Sequence, residues 1–135
     1  MFSLKNVMRS NSASCLIFGG LFALYPADVA SFLSSSSPAP RMLIFMVGLI
    51  LVANGLHLLW ASHYRLQNLK LILYFSIGDF VWVISSVAFI FSGLWITSTE
   101  GILASTVVAV LVGLFGTFQM GARNNILARQ SDIRL

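Results

Sequence analysis

The sequence predicts an all-α integral membrane protein, a four-helix up-down bundle with both termini on the cytoplasmic side. Three observations predict it. Of 135 residues, 58% are hydrophobic and only 9% are charged, against about 25% charged in an ordinary soluble domain. The apolar residues gather into four runs, each near the roughly 20 residues that a helix needs to cross a hydrocarbon core. The basic residues flank those runs instead of forming a block. So few charges cannot cover a water-facing surface, which excludes a soluble enzyme and a disordered tail. A nucleic-acid binder needs a clustered basic face, and none is present. One cysteine, Cys15, leaves no intramolecular disulfide and no CxxC pattern.

The first run spans about 12–33. Its core is longer than that of a secretory signal, and Tyr25 and Asp28 stand where small residues would precede a cut. It therefore reads as a retained helix. Residues 1–11 form a cytoplasmic or interfacial segment. Met1, Leu4 and Met8 share one helical face there, with Lys5 and Arg9 beside it, which suits the inner leaflet surface as well as a plain tail. Pro26 breaks the hydrogen-bond ladder and kinks or ends the first helix. Asp28 then caps or faces water near the outer boundary.

A Ser- and Pro-rich turn at 34–41 leads to the second helix, about 42–61. The third covers about 69–96 and the fourth about 101–121. Thr97, Ser98 or Thr99 caps the fourth, with Glu100 placed against its positive end. Residues 122–135 are too polar to cross and form a cytoplasmic tail or helical extension. In lipid each segment must close its own backbone hydrogen bonds, which makes the runs helices. Short connections force neighbouring helices to run antiparallel.

Orientation follows from Lys and Arg. The N-terminus, second loop and C-terminus hold seven of the eight, and Arg41 alone lies on the other side. Both termini therefore face the cytoplasm. Trp60, Tyr64 and Trp95 near segment ends suit the interface.

Polar residues inside the bilayer carry most of the information, because a charge at its centre costs at least about 2.5–3.5 kcal/mol. Asp79 lies about ten residues into the third helix, near mid-membrane. Folding the second hairpin at 66–67 sets Asn54 level with Asp79, and His57 follows Asn54 one turn on. Asn54, His57 and Asp79 thus read as one buried polar cluster, either a proton- or cation-responsive site or interhelical glue with a neutral Asp79 bonded to Asn54. The glue reading is the simpler. Gln119 and Arg123 lie one turn apart near the inner end of the fourth helix, where Arg123 extends to the headgroups.

Small residues mark packing faces: Gly19 and Gly20 in the first helix, Gly55 in the second, Gly78 in the third, and Ala109, Gly113 and Gly116 in the fourth. His57 and His63 are six residues apart and point to different sides, so one chain cannot offer a bis-His haem site. No cofactor or metal site is expected. No nucleophile–base set, phosphate loop or carboxylate pair supports an enzyme. A lipid or quinone site lined by Trp82 and Phe side chains is a third, weaker reading.

The segments Gly20-Leu-Phe-Ala-Leu-Tyr-Pro26, Gly78-Asp-Phe-Val-Trp-Val83, Leu94-Trp-Ile-Thr-Ser-Thr-Glu-Gly101 and Phe118-Gln-Met-Gly-Ala-Arg123 resemble a group of small bacterial four-transmembrane-helix proteins of uncharacterised function. The resemblance covers about residues 15–125. It implies a multi-pass protein of the bacterial cytoplasmic (inner) membrane and brings no activity. That pattern has Asn where this chain has Asp79; an amide cannot titrate, which weighs toward hydrogen-bonded packing. The expectation is a non-enzymatic structural or accessory protein whose partners are the lipid bilayer and a second copy or a larger membrane complex. The alternative is a small oligomeric proton-coupled transporter or channel using Asp79.

Overall fold

A computed structural model describes residues 3–65 and 68–134, with side chains through 131. The described chain contains five helices: α1 (Leu4–Leu24), α2 (Pro26–Leu33), α3 (Arg41–Tyr64), α4 (Leu69–Ser92) and α5 (Thr99–Arg134). Four of them, all but α2, are long and apolar enough to cross a membrane. Met1 and the hairpin pivot at 66–67 lie outside the described residues.

The ends of these helices follow local chemistry. Ser3 opens α1, its side chain accepting from the Asn6 N–H at 3.2 Å. The helix therefore begins at Leu4, eight residues ahead of the expected start. Its first turns are no surface segment, because Val7 and Met8 are buried and Met8 packs against Leu58, Ala61 and Phe75. Burying Met8 there contributes about 1.5–3 kcal/mol relative to leaving it in water.

Tyr25 ends α1 and Pro26 starts α2 at the position where its missing N–H matters least. The first run is thus two helices. Asp28 sits exposed in the first turn of α2, beside its positive end. Asn68 caps α4 by accepting from the N–H groups of Lys70 and Leu71. Gly93, at φ +71°, stops α4 at Ser92, four residues short of the expected 96, because a left-handed residue cannot continue the helix. Trp95 also has positive φ (65°). It packs on Phe89 with ring centroids 5.5 Å apart.

Ser98 ties this corner together. Its hydroxyl donates to the Phe32 carbonyl at 2.6 Å and accepts the Gly101 N–H at 2.9 Å, capping α5. The N–H groups of Thr97 and Ser98 both donate to the Leu33 carbonyl, and the Ser34 and Thr97 hydroxyls bond at 2.6 Å. The end of α2 is thereby stitched to the start of α5. At the far end, α5 runs to Arg134, so the polar stretch after 121 continues the helix.

Inside the bundle α3 packs mainly on α1, and α4 mainly on α5. The first seam is backbone on backbone. A Cβ on Gly48 would lie 2.6 Å from the Ala23 nitrogen and 2.8 Å from the Gly19 carbonyl oxygen. One on Gly19 would meet the Val52 nitrogen at 2.8 Å. Farther along, Ser12 donates to the Gly55 carbonyl at 2.6 Å. The second seam is looser. Gly116 faces Phe80 and the Asp79 Cβ at 3.2 Å, and Gly113 faces Val83 at 3.6 Å.

Of the expected packing residues, Gly19, Gly55, Gly113 and Gly116 sit in these seams, and Ala109 is buried. Gly20 and Gly78 do not: open space lies where a Cβ would project. Each is a residue away from a packed position, and one residue turns a helix by about 100°. Gly48 makes the tightest contact in α3.

Candidate functional site

Asp79 is buried at 5% exposure between α1, α4 and α5. Asn11, 1% exposed, sends its side-chain N–H group to both carboxylate oxygens, at 3.2 Å to Oδ1 and 2.9 Å to Oδ2. Gln119, fully buried, donates to Oδ2 at 2.9 Å. The same Asn11 nitrogen lies 3.2 Å from Gln119 Oε1. Three side chains from three helices therefore close on one another. Each bond across a helix interface in lipid contributes roughly 0.6 kcal/mol and up to about 2 kcal/mol.

The expected cluster of Asn54, His57 and Asp79 is not the one that forms. Asn54 donates to Cys15 Sγ at 3.5 Å, and the Cys15 thiol reaches Asn11 Oδ1 at 3.8 Å, a weak sulfur-mediated link to the network. His57 sits among rings, edge-on to Phe75 with centroids 5.0 Å apart and near Tyr74 and Trp60. The cause is helix order around the bundle. Equal depth on α3 and α4 implies contact only if those helices pack side by side. Instead the glycine seam draws α3 onto α1, and it is α1 that presents its polar residue to Asp79.

Asn11 and Gln119 are the residues that sequence reasoning missed in this role. Asn11 fell in the expected N-terminal segment, outside the first run. Gln119 was noted only with Arg123. A signal did exist: each is a lone amide on an otherwise apolar or small-residue helix face. Arg123 has a contact within the bundle as well. Its Nε donates to the Leu69 carbonyl at 3.3 Å, bracing α5 against the first turn of α4.

One turn before Asp79 on α4, the Ser76 hydroxyl is fully buried with no hydrogen-bond partner among the described residues. Around the network the wall is apolar, with Phe80 on one side and the Met8–Leu58–Phe75 core below. Among the described residues no group of three His, Cys, Asp or Glu side chains is placed to hold a metal ion. The arrangement is built from one carboxylate and two amides, and its chemistry is hydrogen bonding and proton exchange. No protein-family model, curated protein or solved structure matches the chain.

Proposed function

We propose that this chain is a non-enzymatic structural or accessory protein of a bacterial cytoplasmic membrane, acting by association of its helix faces with itself or with a larger membrane complex. One observation carries the reading. Both oxygens of the buried carboxylate accept amide N–H bonds from two other helices, so the group best suited to ion chemistry is engaged in holding the bundle together. The lipid-side surface of α5 fits the same role: Leu103, Val107, Val110 and Leu114 form an exposed apolar row at helical spacing.

The proposed topology is up-down with both termini cytoplasmic. Its supports are the basic residues gathered at one end and the residue pairs in the seams. Gly19 meets Gly48 while Ser12 meets Gly55, and Asp79 meets Gly116 while Leu69 meets Arg123. Numbers that rise on one helix fall on its partner, the signature of antiparallel neighbours. The resemblance to small bacterial four-helix membrane proteins supports the location.

Native mass spectrometry of the protein extracted gently from its own membrane tests the association. A homo-oligomer or a complex with a defined partner is expected, and Asp79→Asn leaves its composition unchanged. A monomer at every protein concentration, with no partner, overturns the reading.

A second reading rests on a different observation. Asp79 has no cation beside it among the described residues, and the unpartnered Ser76 hydroxyl lies one turn away. A carboxylate so placed can take up and release a proton, as a small oligomeric proton-coupled transporter or channel requires. In liposomes, that function predicts a pH-driven flux abolished by Asp79→Asn with the fold retained. Flux that persists in the variant eliminates it.

A further inference from the structure

At the end of the bundle rich in basic residues, α1 and α5 do not close on each other. Two adjoining hollows of about 290 Å³ and 360 Å³ lie between them and share Ser3, Leu4, Ala122 and Asn125, so they form one groove. Its floor is apolar, with Val7 and Ile126 buried beneath it. Gly121, with nothing within 4 Å of its Cβ position, keeps the middle open. Phe118, next to the buried Gln119, lines the deep end, and Lys5 and Arg129 stand exposed at the shallow end. Phe118 and Arg129 are eleven residues apart, a rise of about 16 Å along α5. The groove thus turns from apolar to cationic over the distance that separates acyl chains from headgroups.

We propose that this groove binds one anionic phospholipid. Its phosphate lies between Lys5 and Arg129, with the Asn125 amide as a neutral donor, and an acyl chain runs over Gly121 toward Phe118. Charge complementarity selects this occupant. Among the described residues neither Lys5 nor Arg129 forms an ion pair. Three of the four carboxylates lie elsewhere: Asp28 and Glu100 stand in the first turns of α2 and α5, and Asp79 is engaged by Asn11 and Gln119; the fourth, Asp132, lies outside the residues whose side chains are described. A second copy seated symmetrically here would bring the same cations into the groove, whereas an anionic headgroup neutralises them.

The test is native mass spectrometry of the full-length protein in mild detergent, titrated with phosphatidylglycerol or with phosphatidylcholine of the same acyl chains. One phosphatidylglycerol adduct is expected, held at least about tenfold more tightly than phosphatidylcholine. Removing both cations in Lys5→Gln/Arg129→Gln weakens it about thirty-fold. Gly121→Leu fills the groove and removes the adduct with both cations in place. Arg65→Gln/Lys70→Gln, on the same end but outside the groove, leaves it unchanged. Equal binding of the two lipids overturns the proposal, as does retention in Gly121→Leu or an equal loss in the control pair. Circular dichroism of each variant confirms that the helices persist.

Discussion

The α1–α3 seam and the Asn11–Asp79–Gln119 network hold helices together by opposite means. In the seam the two backbones approach because Gly19, Gly48 and Gly55 carry no side chains. The stabilisation is dispersion over a close contact, with Ser12 adding one bond to a backbone carbonyl. At the network three polar side chains from α1, α4 and α5 fill the space between the helices, and directional hydrogen bonds do the joining. Without a hydrophobic driving force between helices in lipid, these are the two devices left. The difference teaches that the seam is intolerant of volume and indifferent to polarity, whereas the network is the reverse.

The sharpest way to break that contrast is Gly48→Val. The obstacle its Cβ meets is backbone, the Ala23 nitrogen and the Gly19 carbonyl, and neither can swing aside. Overpacking then reaches the upper end of its usual range, about 3 kcal/mol or more. Unfolding in detergent, followed by circular dichroism against a graded denaturant, reads this loss; a wild-type midpoint removes the seam from the account.

Asp79→Ala comes next. It leaves the buried amide donors of Asn11 and Gln119 unsatisfied, at about 1–3 kcal/mol. Asp79→Asn keeps an acceptor oxygen and is expected to lose no more than about half as much. A larger loss for Asn than for Ala, in the same unfolding assay, contradicts hydrogen bonding as the source of stability.

Ser12→Ala tests how much polarity matters within the seam. Only the bond to the Gly55 carbonyl disappears, and the expected loss is roughly 0.6 kcal/mol. A deficit as large as that of Asp79→Ala would place Ser12 with the network and not with the glycines.

Gly78→Ala is the smallest change and the control for Gly48. Open space surrounds its Cβ position, and Ala favours a helix over Gly by about 0.5–1 kcal/mol. A slight gain in thermal stability is expected; a loss like that of Gly48→Val would mean that a partner covers this face.

Much of the fold could be read in advance for a simple reason. Spanning a bilayer demands long apolar runs with internal hydrogen bonds, and hydropathy reports that demand residue by residue. The four long helices follow from it, and the break at Pro26 follows from proline's missing N–H. The cap on α5 was legible to within one residue, because Ser98 belongs to a run of three hydroxyls. Where the helices start and stop was less legible. The Ser3 cap and the packing of Met8 between α3 and α4 begin α1 at Leu4, and Gly93 ends α4 inside what reads as one apolar stretch.

The polar site was half legible. Asp79 stands out at its depth in any reading of the sequence, since a carboxylate amid apolar residues must find partners. Which partners it finds depends on rotation about each helix axis and on the order of helices around the bundle. His57 and Asn54 lie at a suitable depth, yet their side chains meet aromatic rings and the Cys15 thiol. Composition and hydropathy act along the chain and determined by themselves that four helices are long and apolar enough to span a membrane, with basic residues flanking the apolar runs. Pairing acts across it. Only the tertiary structure decided that Gly48 and Gly19 draw α3 onto α1, which in turn delivers Asn11 to Asp79 and leaves the α1–α5 groove open, because close packing depends on the shapes of two surfaces together.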